Sequence, residues 1–358
     1  MTEPQTPESQ TPESQTPESQ SPESQSPEPQ TSESQAESQP GRTAFVFPGM
    51  GPFRFTDVGE FLLTNPHARR RLAIADEVVG YSVFDRYRQS DGDEEGQYAA
   101  HTQIAFLTVC LSLADWAEET LGEKPELCAG PSFGQRAAVT YAGSMPFEET
   151  VRLTAELARC EEEYFGQEHR EAVTHCVIHT PEESLHKALG ELDDEGEWHD
   201  VSGYIDRGFY LVSLREPVLD RFKKRIGDLG GYNMYTMWPP VHAPSFGDLR
   251  RKAEEEVFGG FELADPKLPV VSDQNGALLT DAEGVRTMLL DTFNCPIRWP
   301  DMVETMRGRG ITKICISGPD NLFGRVNSTG ENFEVLAIDA RKAMRPRVRQ
   351  RSARRARR

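Results

Sequence analysis

The run Leu127-Cys128-Ala129-Gly130-Pro131-Ser132-Phe133-Gly134 constrains the fold more than any other stretch of the chain. Its first three residues are apolar and read as a buried strand, and the small-residue run from Ala137 to Ala142 reads as a helix. Gly130 and Gly134 bracket the serine in a G-x-S-x-G pattern, and such a turn between strand and helix lifts one hydroxyl clear of the backbone. The amide after the serine then lies at a helix N-terminus, where an oxyanion can be held.

The rest of the chain repeats the strand-then-helix order. Thr43 to Phe47 reads as a buried strand ended by Pro48-Gly49-Met50-Gly51-Pro52, and His101 to Leu121 as a helix with Ile104, Leu107, Thr108 and Leu111 on one face. From about residue 172 the rhythm changes. Strands near Val173–Ile178, Val201–Ile205, Phe209–Leu214 and Tyr232–Met237 are interleaved with helices over Pro181–Leu192 and Glu216–Leu229, a β-α-β-β-α-β order that is ferredoxin-like. Alternation then resumes with Leu268–Ser272, helices over Asp281–Asp291 and around Met302–Met306, and strands Ile311–Ile316 and Phe333–Ile338. The expected fold is α/β: an α/β-hydrolase-like large domain with a parallel sheet, from residues 43–171 and 238–340, into which a ferredoxin-like small domain, 172–237, is inserted.

The two ends differ sharply from this body. Residues 1–42 repeat TPESQ-like units with almost nothing apolar to bury, so a disordered tail is expected there, and it lacks the basic start and apolar stretch of a targeting signal. Residues 341–358 form a second expected disordered tail with ten basic residues and no acid. Of the formal net charge of −19, the first 42 residues carry −7 and the last 18 carry +10, which leaves −22 on residues 43–340. An acidic body argues against nucleic acid as the main partner. The basic tail reads either as solvated charge or as a contact for RNA or an acidic protein. Six cysteines without a C-x-x-C pair suit buried thiols in a reducing cytoplasm, and no apolar run reaches the roughly 18 residues of a membrane span. The spacing His175-x-x-x-His179 falls on an expected strand with no further ligand cluster, so no metal is expected.

Seven segments together resemble the malonyl-CoA:acyl-carrier-protein transacylase family, which includes the acyltransferase domains of polyketide synthases. They are FVFPGMGPF at 45–53, HTQIAFLTV at 101–109, GPSFG at 130–134, PPVHAPSF at 239–246, and LPVVSDQNG, CPIRW and ISGPDNLFG between 268 and 324. The resemblance implies that Ser132 is the nucleophile and His242 its general base, since a hydroxyl is a poor nucleophile until an imidazole takes its proton. It also implies that a backbone carbonyl from the loop Thr292 to Asn294 orients the imidazole, and that the amides of Phe133 and Met50 form the oxyanion hole. Gln103 matches a substrate-binding position of the family, and reads equally as a capping or packing amide.

Departures from the family pattern bear on the acyl group. Malonyl-transferring relatives carry an arginine 25 residues after the serine, where this chain has Leu157. Arg159 would fill that role only after a two-residue insertion, since it lies about 200° further around a helix. Pro131 replaces a histidine, Gln135 a common glutamate, and Trp238-Pro239-Pro240-Val241-His242 a shorter specificity loop. Without a guanidinium to take a free carboxylate, a pocket of Leu157, Phe133 and Trp238 favours an apolar or elongated acyl chain. Trp238 reads equally as domain packing.

The expected function is thus a discrete acyltransferase of polyketide or macrolactam biosynthesis, similar to a branch that moves aminoacyl or dipeptidyl groups between carrier proteins. It would act through an acyl-serine, with no bound cofactor, on phosphopantetheine carried by an acyl carrier protein or on a CoA thioester. Arg325 is the candidate docking residue for that acidic partner, with solvated charge as its other reading. A cytoplasmic monomer is expected, with no nucleic acid or membrane partner. The alternatives are a conventional malonyl-CoA transacylase, an acyl hydrolase, or a non-catalytic carrier-binding scaffold.

Overall fold

Eleven strands build two sheets in the computed structural model, which describes residues 41–51, 53–92, 98–320 and 322–345. The TPESQ repeat and residues 346–358 of the expected basic tail lie outside the described residues, while residues 341–344, expected to be disordered, are corrected to the helix Ala340–Met344, capped by the Asp339 side chain. In chain order the strands are β1 (Arg42–Val46), β2 (Pro125–Ala129), β3 (Ala172–Ile178), β4 (His199–Asp206), β5 (Phe209–Arg215) and β6 (Tyr232–Met237). There follow β7 (Val270–Val271), β8 (Leu278–Leu279), β9 (Ile297–Arg298), β10 (Ile311–Ser317) and β11 (Glu334–Ile338).

The larger sheet has the order β11-β10-β1-β2-β7-β8 and is parallel except where β8 turns back on β7. Strand β1 lies in its middle and reads as an unbroken apolar run because both faces are covered. Ala44 and Val46 join one hydrophobic cluster, Phe45 and Phe47 the other, as the period-two alternation of a strand requires. The second sheet has the order β6-β3-β5-β4-β9, and its first four strands are antiparallel in the ferredoxin-like order. Helices Glu182–Asp194 and Glu216–Asp228 cover it, burying Leu185, Leu189, Phe222 and Ile226 against Val177, Val212 and Leu214.

Some expectations are corrected. The helix Ala100–Leu121 buries every residue from Thr102 to Ala114 rather than one face, so it runs through the core. The expected strand Leu268–Ser272 shortens to β7, because Ser272 already donates its amide to the Ala277 carbonyl in the turn to β8. Strand β9 was not expected at all. It comes from the segment after residue 238 yet pairs in parallel with β4, Gly203 opposite Ile297, so the smaller sheet is completed from outside residues 172–237.

Five of the six cysteines are buried, Cys295 is partly so, and all are free thiols. Among the described residues no helix is long and apolar enough to cross a membrane, and no cluster of three His, Cys, Asp or Glu could hold a metal. Both ring nitrogens of His175 are engaged by β6, with Thr236 Oγ1 at 2.9 Å and Asn233 Oδ1 at 3.1 Å.

Candidate active site

Strand β2 ends at Ala129 and the helix Gly134–Tyr141 begins five residues later, so the chain must reverse within Gly130 to Phe133. Ser132 makes that reversal with φ 55°, in the left-handed region that few non-glycine residues occupy. The flanking glycines are required by close approach. A Cβ on Gly134 would lie 2.0 Å from the Phe47 carbonyl oxygen, and one on Gly130 2.1 Å from that of Gly134. Gly134→Ala is therefore expected to cost about 3 kcal/mol of stability, read as a lower urea midpoint at unchanged m-value.

The turn is held from below by Asp273, which follows β7. Its Oδ2 accepts the Ser132 amide at 2.6 Å and its Oδ1 accepts Gln135 Nε2 at 2.6 Å. Asp273 is fully buried, and burial pushes its carboxyl up to about 7 against the pull of those two donors. Glutamine at 135 supplies a donor here, whereas a glutamate would set a second acid against Asp273.

His242 reaches the turn from the loop after β6. Its backbone takes φ 70°, and the amides of His242 and Ala243 both donate to the Phe293 carbonyl, at 3.0 and 3.3 Å. Ser132 Oγ lies 2.8 Å from His242 Nε2. Burial lowers the imidazole to about 4, opposed by a backbone hydrogen bond to Cys295. A carbonyl can only accept, so the ring nitrogen facing Cys295 carries the proton and Nε2 is left bare toward the serine. The expected orienting carbonyls, Thr292 and Asn294, are corrected to Cys295. The amides of Asn294 and Cys295 both fold back onto the Asp291 carbonyl, and this tight turn carries the orienting group one residue further.

The loop after β1 closes on the same turn. A Cβ on Gly49 would lie 3.3 Å from Ser132 Cβ and 3.1 Å from the Pro131 carbonyl, which brings the Met50 backbone alongside the serine. Among the described residues neither the Phe133 nor the Met50 amide has an acceptor in the protein. Two free N–H groups beside a hydroxyl and a neutral imidazole can stabilise a tetrahedral oxyanion.

These groups open into a cavity of about 340 Å³. Of the residues singled out from the sequence, Ser132, His242, Met50, Phe133, Gln103, Leu157 and Thr292 line it. Asn294 and Trp238 do not. Trp238 is 41 % exposed, with its ring centre 6.1 Å from that of Phe165, while its neighbours Met237, Pro239 and Val241 form the wall. The expected pocket role of Trp238 is thus corrected: it lies one residue beyond β6, exposed and outside the wall that its neighbours form. Arg325 is exposed, just past a loop whose Asp320, Leu322 and Phe323 also line the cavity.

Sequence reasoning missed three charged residues here. Asp273 sits within LPVVSDQNG, and its role follows only from the contact with Ser132. Arg136 and Glu161 also line the cavity, with side chains 8 % and 11 % exposed. The signal for Glu161 was an acid four residues after Leu157, on the buried stripe of the helix Phe147–Gln167.

Comparison with known proteins finds similarity to acyltransferases. The family model described as VinK acyltransferase small domain matches residues 176–237. The malonyl CoA-acyl carrier protein transacylase of Salmonella typhimurium is 26 % identical over 291 residues, spanning 78 % of this chain and 90 % of that protein. Its Escherichia coli K12 counterpart is 25 % identical over 313 residues, spanning 84 % and 97 %. Among solved structures, a malonyl-transacylase in complex with its type II polyketide synthase acyl-carrier protein (PlMCAT:AntF) superposes with a TM-score of 0.73 at 22 % identity, over 83 % of this chain and 96 % of that one. FabD of Acinetobacter baumannii also gives 0.73, at 19 % identity, over 85 % and 96 %.

Proposed function

Because the chain belongs to the malonyl-CoA:acyl-carrier-protein transacylase family and is an acyltransferase, we propose that it moves an aminoacyl or dipeptidyl group, rather than malonyl, onto a carrier-protein thiol through an acyl-serine. The observation that carries this reading is the 2.8 Å pairing of Ser132 Oγ with His242 Nε2 in a cavity walled by Leu157, whose lining guanidinium, Arg136, is already paired with Glu161.

In the first half-reaction His242 Nε2 takes the Ser132 proton as Oγ attacks the thioester carbonyl. The oxyanion is held by the Phe133 and Met50 amides. Collapse breaks the C–S bond, and the departing thiol leaves with the proton from His242. In the second half the phosphopantetheine thiol gives its proton to His242 and attacks the acyl-serine, and Ser132 recovers the proton. No bound cofactor enters either step. Arg325, exposed just past the loop whose Asp320, Leu322 and Phe323 line the cavity, is the docking residue of this reading, for an acidic carrier protein.

A second reading, the conventional malonyl-CoA enzyme, is favoured by one observation: Arg136 brings a guanidinium into the cavity. Intact-mass analysis after incubation with malonyl-CoA and with aminoacyl- and dipeptidyl-carrier proteins separates the two. Ser132 is expected to load at least tenfold faster from the carrier-bound aminoacyl or dipeptidyl donors. Faster loading from malonyl-CoA would establish the second reading instead, and release of free acid without an acceptor thiol would mark a hydrolase.

A further inference from the structure

Arg136 and Glu161 stand on the helices Gly134–Tyr141 and Phe147–Gln167, and both face the cavity that holds Ser132. Both terminal nitrogens of the guanidinium have a protein partner. Nη1 donates to Gln103 Oε1 at 2.8 Å, Nη2 donates to Glu161 Oε1 at 3.4 Å, and Cζ lies 4.8 Å from the centre of the Phe133 ring. Gln103 is itself fixed, with Nε2 on the Tyr98 carbonyl at 2.7 Å. The second carboxylate oxygen of Glu161, Oε2, has no protein partner among the described residues.

A buried ion pair with one open acceptor has a definite chemical preference. A diacid's carboxylate would have to displace Glu161 from Arg136 or share one guanidinium with it, leaving two anions side by side in a poorly solvated place. An ammonium meets no such competitor. It can take the open oxygen, and in doing so it adds the cation that the pair lacks on that side.

We propose that Glu161 selects the acyl group, its Oε1 closing Arg136 to a diacid while its Oε2 receives the ammonium of an aminoacyl or dipeptidyl chain. The proposal rests on the transfer reading above and assigns the residue that enforces it. Gln103 is then a positioning residue, holding Arg136 so that Glu161 presents its free oxygen to the cavity.

The test uses the full chain with three pantetheine thioesters of similar size: β-alanyl, butyryl and malonyl. Initial rates of Ser132 acylation are read by intact mass, as ratios to butyryl within each variant, so that loss of folded protein cancels. Glu161→Gln is expected to lower the β-alanyl ratio at least tenfold and to raise the malonyl ratio at least tenfold, by freeing Arg136. The uncharged double variant Arg136→Met with Glu161→Met, a replacement that buried ion pairs often tolerate, is expected to lose the β-alanyl preference without gaining malonyl. Ratios within twofold of the parent in Glu161→Gln, or a parental β-alanyl preference in the double variant, would overturn the assignment and leave the transfer reading intact. If the parent itself loads malonyl fastest, the transfer reading fails first and the selection goes with it.

Discussion

His242→Ala is expected to lower kcat/KM for acyl transfer by about four orders of magnitude, and Ser132→Ala to take up no acyl group at all. Steady-state transfer and intact mass read the two effects. The pH dependence gives a sharper check, because burial holds the imidazole at about 4. The base acts in its neutral form, so activity is lost only as pH falls through that value. At pH 5 the buried ring is still mostly neutral, whereas an ordinary histidine near 6.5 would be only about 3 % neutral. An acid limb near 6.5 would mean that the imidazole is solvated, and with it that the cavity is open to water.

The second large effect concerns Asp273. Asp273→Ala removes the acceptor of the Ser132 amide, and a buried N–H left without a partner costs about 1–3 kcal/mol. Its charge adds a pH-dependent part of definite sign. The folded carboxyl sits at about 7, above its ordinary value, so below about pH 4 both folded and unfolded chains carry the proton and there is no penalty. As pH rises toward 7 the unfolded chain releases the proton first, and stability falls by about 4 kcal/mol across the window. His242 acts the other way. Its lowered value makes the unfolded chain bind the proton first on acidification, so it adds about 3 kcal/mol as pH rises from 4 to 6.5. The two nearly cancel in the parent. Asp273→Asn removes only the falling part, so its stability relative to the parent is expected to climb steadily from pH 4 to 7 in urea unfolding. A flat difference would show that Asp273 is already ionised in the folded protein.

Much of this site was legible because its backbone demands are local. The serine turn needs small residues at 130 and 134, and both are written in the pentapeptide. Strands β3 to β6 were legible because runs of six to eight residues rich in β-branched, aliphatic and aromatic side chains outlast local noise. Strands β8 and β9 were not, since two residues carry no period, and their pairing is decided by partners far along the chain. The cavity charges escaped for a related reason. Arg136 and Glu161 stand 25 residues apart on different helices, and nothing in either helix alone announces the other. Trp238 misled because an aromatic near the histidine invites a pocket role, whereas the chain leaves β6 just before it with the ring exposed.

Strand β9 ties the cavity wall to the base. Cys295, which holds the imidazole ring, is separated from Ile297 by a single residue, and Ile297 and Arg298 are hydrogen-bonded to β4 of the smaller sheet. Any tilt of that sheet away from the serine would drag the same short tether and turn the ring out of line. Widening the gap for a bulkier cargo is therefore expected to cost the alignment of the proton acceptor.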